Sequence, residues 1–179
     1  MSPDIFIVGT NHRYQYGSDN TRFKCSVTDV RDFTEFLRQL CATHGLKGIA
    51  EEMTLESMKR WGGGREISTP QELANSLSIP HWYIEPDIAE SKREGIPSDE
   101  SILLREQFEC LSKRQTRFLF FDQYLKREKF WLKRIVEQNT WPILVVCGSI
   151  HSNRFCRLCK DSQFHVRIVV KDWMSSRPK

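Results

Sequence analysis

A chain of 179 residues with 39% hydrophobic and 28% charged side chains has the size and composition of one globular domain. Its formal net charge of +4 suits an anionic small ligand without demanding nucleic acid. No apolar run approaches the roughly 20 residues of a membrane span, and the start MSPDIFIVG lacks the basic, longer apolar pattern of a secretory signal. The six cysteines therefore read as reduced thiols, and the chain as cytoplasmic.

IFIVG (5–9) predicts a buried strand that ends in glycine. SVTDVRDFTEFLRQLCATHG (26–45) predicts a helix: Val30, Phe33, Phe36, Leu37, Leu40 and Cys41 recur at helical spacing, and Gly45 closes it. LKGIAEE (46–52) predicts a second strand running into two acids. WGGGREISTPQE (61–72) reads as a loop leading into a helix, with Thr69 as N-cap, Pro70 at the first helical position and Glu72 at the third. IPHWYIEP (79–86) predicts a third strand stopped by Pro86, followed by a polar connection over 90–100. Ser98 to Asn139 is helical in pattern, capped by Ser98 or Asp99. Leu103, Phe108 and Leu111 form one stripe; Tyr124, Leu125, Trp131, Leu132, Ile135 and Val136 form another; a break is expected near FLFFDQ (118–123). PILVVCG (142–148) is the clearest strand, SNRFCRLCKD a short helix, and HVRIVV (165–170) the last strand. Residues 174–179 are expected to fray.

Strands that alternate with helices predict an α/β fold: a mainly parallel central sheet of about five strands with helices on both faces, in one domain over 1–173. Ligands of such sheets bind at the carboxyl edge of the strands. The first strand ends in VGTNH and the fourth in CGSIH, so the same strand-Gly-x-x-His unit delivers His12 and His151. Glu51 and Glu52 end the second strand, and Glu85 and Asp87 the third. Glycine at a strand end lets the chain turn and a ligand approach. Two imidazoles with carboxylates form a mixed nitrogen–oxygen set suited to Mn, Co, Zn or Fe, or to acid–base chemistry without a metal.

These paired Gly-x-x-His motifs, with an acidic strand end between them, resemble the superfamily of TIKI proteases, TraB and PrgY proteins, ChaN-like haem-binding proteins and erythromycin-esterase-like enzymes. YLKREKFWLKRI (124–135) is similar to the helix that precedes the second motif there: Arg127 takes the arginine position, Glu128 replaces Asn or Asp, and Trp131-Leu132 replace Met-Ala. The resemblance implies His12, Glu51 or Glu52, Arg127 and His151 as site residues. It also implies an optional divalent metal on His12, Glu51 and His151. One branch supports metal-dependent hydrolysis; in another a histidine activates water.

The expectation is a hydrolase of an ester, peptide or phosphoester. A glutamate takes the proton from water and Arg127 stabilises the developing negative charge. Tyr14, Tyr16 and Asp87 are candidate substrate contacts. The alternative is a non-catalytic module on the same scaffold that binds an anionic small molecule, haem or nucleic acid. The basic stretch with Lys113, Arg114, Arg117, Lys126, Arg127, Lys129, Lys133 and Arg134 is the feature that favours nucleic acid.

Two rival chemistries remain. His151, Cys156, Cys159 and His165 have a spacing compatible with tetrahedral zinc. Cys156-x-x-Cys159 has the spacing of a redox dithiol, but sits inside the helix rather than at its start. Against both, Phe155, Cys156, Leu158 and Cys159 form the apolar stripe of a core-facing helix, opposite Asn153, Arg154, Arg157 and Lys160.

Overall fold

A computed structural model of the chain describes residues 4–20 and 22–175. Residues 176–179 of the expected tail lie outside them. Five strands form one all-parallel sheet: β1 (Asp4–Thr10), β2 (Gly48–Glu51), β3 (His81–Tyr83), β4 (Ile143–Gly148) and β5 (His165–Trp173), in the order β3-β2-β4-β1-β5. The α/β architecture read from the sequence is the one observed.

Helices cover both faces. On one side α2 (Val27–His44) and α4 (Thr69–Ser76) pack Phe33, Leu37, Cys41, Leu73 and Ala74 against Val8, Ile49, Leu144 and Val146. On the other, α7 (Lys113–Gln138) and α8 (Ser152–Asp161) pack Trp131, Ile135, Phe155 and Cys159 against Ile5, Ile7, Ala50, Ile143 and Val145. Alternation along each strand produces this division, because successive side chains leave opposite faces.

Local signals start and stop these helices. Ser26 caps α2 with a reciprocal Asp29 capping box, and Gly45 ends it in the left-handed conformation. α4 begins one residue earlier than expected. Ser68, not Thr69, is its N-cap and accepts from Gln71 N–H, while Pro70 sits in the first turn, where it lacks only an unneeded donor.

Two further expectations are corrected. The polar connection after β3 holds a short helix, α5 (Ile88–Arg93), capped reciprocally by Asp87 and Glu90. The 98–139 stretch breaks at residues 109–112, not at 118–123. α6 (Asp99–Phe108) ends before Cys110, which has φ of 51°, and Ser112 with Gln115 opens α7 by a capping box. A start signal placed the boundary, and FLFF continues the helix. The stripe expected on α6 also fails: Leu103 and Phe108 are 52% and 76% exposed, and Ile102 is the residue buried there. No helix among the described residues is long and apolar enough to cross a membrane.

Candidate functional site

β1 and β4 are neighbours in the sheet, with Thr10 beside Gly148. After β1 the chain turns through α1 (Arg13–Tyr16) to α2 on one face. After β4 it turns to α8 on the other. Such a divergence opens a crevice at the carboxyl edge. Both Gly-x-x-His units lie there, so His12 and His151 share one edge.

The two glycines serve different purposes. A Cβ on Gly9 would stand 2.0 Å from Lys171 O and 2.1 Å from Ser152 Oγ. Gly9 leaves space for the hydrogen bond from Ser152 Oγ to Lys171 O, 3.1 Å long, which ties α8 to β5. Gly148 faces the site: a Cβ there would be 3.1 Å from His12 Nε2 and 3.3 Å from Glu52 Oε2.

Glu52 is the centre of the site. Its Oε2 accepts from Gly148 N–H at 2.6 Å, and its Oε1 accepts from Arg127 Nη2 at 2.8 Å. His151 Nε2 and His12 Nε2 lie 3.4 and 3.8 Å from that same Oε1. Arg127 is held from its other side by Glu85, whose Oε1 is 2.8 Å from Nε and whose Oε2 accepts from Trp131 Nε1 at 2.7 Å.

Hydrogen-bond logic fixes the histidine tautomers. Glu51 is fully buried, and its carboxylate oxygens accept from Ser68 Oγ and from Gln15 Nε2. Gln15 therefore presents its amide nitrogen to Glu51 Oε1, at 2.9 Å, and its carbonyl oxygen to His12 Nδ1, at 2.7 Å. His12 Nδ1 must then carry the hydrogen, and in the neutral ring Nε2 holds the lone pair. The same rule orders His151. Glu128, also fully buried, receives Nδ1–H at 2.7 Å while Arg154 grips it through Nε and Nη2. Proton–nitrogen spectra of labelled histidine should show His12 as the Nδ1–H tautomer in the wild type. In Gln15→Leu the proton should move toward Nε2; an unchanged spectrum would refute the relay.

The charges explain the proton affinities. Burial pushes the Glu52 carboxyl up, but the imidazolium forms of His12 and His151, with Arg127 and the Gly148 N–H, together outweigh it and hold it below the ordinary value. Glu85 is raised, by burial first and then by the Glu52 charge, against the pull of Arg127. Burial lowers Arg127, yet Glu85 and Glu52 more than compensate and keep it protonated.

Of the residues singled out in the sequence, His12, Glu52, Arg127 and His151 come together. Glu51 stands apart: alternation sends it to the α2/α4 face, where Ser68, His81 and Gln15 occupy its carboxylate. Tyr14 is buried against Phe33 and Trp173 and does not line the cleft above His12; it borders a second cavity with Arg13 and Ser26. Tyr16 and Asp87 line the cleft above the site, although Tyr16 is also packed against Met53 and Met58. That cleft, about 740 Å³, is bounded below by His12, Glu52, Glu85 and Arg127. His151 lies behind Glu52, buried.

Gln15 belongs to no motif in the sequence. Its one signal is its place three residues after His12, one helical turn on.

The set His12, Glu51 and His151 does not form a metal centre, because Glu51 faces away. With Glu52 in its place, two Nε2 atoms and one carboxylate oxygen converge, but Arg127 already occupies that oxygen with its own positive charge. Among the described residues no group of three or more His, Cys, Asp or Glu side chains is arranged to hold a metal ion. The zinc quartet does not assemble either. His165 pairs with Asp4 at the opposite edge of the sheet, and Cys156 and Cys159 pack into the core. Burial also pushes the Cys159 thiol up, away from the reactive thiolate of a redox dithiol. The basic stretch is divided: Arg127 enters the site, Arg134 pairs with Glu90 and Lys126 with Asp122.

Comparison with family models, curated proteins and solved structures returns no match.

Proposed function

We propose that the protein is a hydrolase in which His12 is the general base, acting on an ester, peptide or phosphoester admitted by the cleft. One observation carries this reading: the His12 ring is 36% exposed to the cleft, its Nδ1 tied to Gln15 and its Nε2 free beside Glu52 and Arg127. A base needs that combination of fixed orientation and an available lone pair.

In the proposed reaction a water held near His12 Nε2 and Glu52 loses a proton to Nε2 as its oxygen bonds to the carbonyl carbon or phosphorus. Arg127 stabilises the charge growing on the carbonyl or phosphoryl oxygen. The bond to the leaving oxygen or nitrogen breaks, and protonated His12 returns the proton to that atom. Glu52 faces the imidazolium that forms, while Glu51 through Gln15, and Glu128 on His151, are positioning residues. This assignment differs from the sequence expectation, in which a glutamate takes the proton: here both Glu52 oxygens are already engaged.

A binding module on the same scaffold is the second reading. It is favoured by the neutralisation of Arg127 between Glu52 and Glu85. A panel of 4-nitrophenyl acetate, 4-nitrophenyl phosphate and a fluorogenic peptide separates the two. The hydrolase reading expects turnover that falls about 10²- to 10⁴-fold in folded His12→Ala. No turnover of any member, or full turnover by His12→Ala, overturns it. Activity abolished by a chelator and restored by Mn or Zn would return a metal to the site.

A further inference from the structure

We infer that the ligand of this cleft carries a phosphate group, and that Arg22 and Arg60 hold its charge at the cleft mouth. This rests on the cleft being the ligand site, as proposed above, and adds the substrate class.

Glu52 and Glu85 are closed on Arg127. Asp87 is committed to the cap of α5, accepting from Glu90 N–H at 2.8 Å, and Asp99 accepts from Gln123 Nε2 at 2.7 Å. Arg22, Arg60 and Lys92 also line the cleft, and none has a carboxylate partner among the described residues. Against these three cations stands one uncommitted acid, Glu56. Counted whole, the lining holds five carboxylates and four Lys or Arg side chains, so it is this local trio of cations, and not the overall charge of the cleft, that favours an anion.

Arg22 and Arg60 both lie against one indole ring. The Arg22 guanidinium lies 5.1 Å from the ring centre of Trp61 and 5.1 Å from that of Phe23; the Arg60 guanidinium lies 4.6 Å from the Trp61 ring. Trp61 closes α3 (Leu55–Trp61), which carries Arg60 as well. Both distances to Trp61 refer to one ring, so the two guanidinium carbons are less than about 10 Å apart. An aromatic face orients a guanidinium without neutralising it. Both side chains are exposed, so their mutual repulsion in water is small, but an anion seated between them would pair with both.

A phosphate fits these groups better than a carboxylate does. It offers several acceptor oxygens and more than one negative charge, and guanidinium forks match its oxygens in pairs. Lys92, on α5 across the cleft, adds a third cation as a point charge. With the charged group at the mouth, the bond to be broken reaches the floor, where His12 and Arg127 stand. If that bond is a carboxylic ester, water oxygen bonds to the carbonyl carbon and the bond from that carbon to the alcohol oxygen breaks. His12 Nε2 takes the proton of water and returns it to the alcohol oxygen, so neither oxidant nor reductant is needed.

The test uses the full chain with pyrophosphate as probe, followed by calorimetry and by thermal shift at low and at physiological ionic strength. The wild type should bind pyrophosphate saturably and in preference to succinate. Arg22→Ala/Arg60→Ala should weaken binding at least tenfold, while Arg157→Ala, on the exposed face of α8, should leave it within twofold. Circular dichroism checks that the variants fold. No binding by the folded wild type, equal binding of succinate, or unchanged binding by the double variant overturns the inference. Tighter binding of a single-stranded oligonucleotide than of pyrophosphate, lost in the same double variant, would also overturn it in favour of nucleic acid.

The two readings fail separately. Turnover of 4-nitrophenyl acetate that depends on His12, without pyrophosphate binding, removes only the phosphate inference. Binding through Arg22 and Arg60 without turnover of any ester removes only the hydrolase reading.

Discussion

Gly9→Ala is expected to cost at least about 4 kcal/mol, in the exceptional range for single substitutions. Its Cβ would fall 2.0 Å from a backbone carbonyl and 2.1 Å from the Ser152 hydroxyl. Neither can give way cheaply. The carbonyl belongs to β5, and Ser152 is buried at the start of α8. Relief requires β5 or α8 to move, in a region where the pairing of β1 with β5 is already irregular on both sides of Val8. With total stability typically about 5–15 kcal/mol, the variant should lose most of its urea resistance or fail to fold. Gly148→Ala is the instructive contrast. Its closest contacts are the tips of His12 and Glu52 at 3.1 and 3.3 Å, so it should fold at a cost of about 1–3 kcal/mol and displace His12. Equal losses in the two variants would mean that the glycines share one role.

Glu52→Ala should destabilise the protein by about 3–5 kcal/mol at neutral pH, because it leaves Arg127 and the buried His151 facing an emptied position. The effect depends on pH. Glu52 binds its proton more weakly in the folded chain than in the unfolded one, so its contribution is complete above the ordinary carboxylate value, about 4.3. It is lost as pH falls through the folded value. The gap between wild type and Glu52→Ala in urea midpoint should therefore close as pH falls below about 4. Glu85 acts with the opposite sign. Its raised carboxyl favours folding in the protonated form, so its penalty appears as pH rises from the ordinary value through the raised one. Glu85→Gln should shrink that penalty but loosen Arg127. A gap for Glu52→Ala that widened toward acid would contradict the ion-pair geometry.

The strand ends were legible because their signals are local. Each apolar run stops at a turn, and an all-parallel sheet must present those ends at one edge, so His12 and His151 could be placed near each other without coordinates. Arg127 came from a resemblance, on the helix before the second motif. The core-facing role of Cys156 and Cys159 followed from helical spacing alone. The boundary between α6 and α7 lies at the Ser112–Gln115 capping box, a weaker pattern in the sequence than the apolar run at 118–123 but the one that decides the helix start.

By itself, the sequence determined the alternation of strands and helices, the edge at which chemistry gathers, and which helix faces meet the sheet. These follow from periodicity and from the turn preferences of single residues. Only the tertiary structure decided between Glu51 and Glu52. Neighbouring residues at a strand end leave opposite faces, and which face meets Arg127 depends on the register of β2 against β4, fixed where Glu52 N–H meets Val146 O at 2.9 Å. It also decided that Gln15 and Glu128 orient the two imidazoles, and that Gly9 serves packing while Gly148 serves the site. Those roles belong to contacts between segments far apart in the chain, which no local pattern encodes.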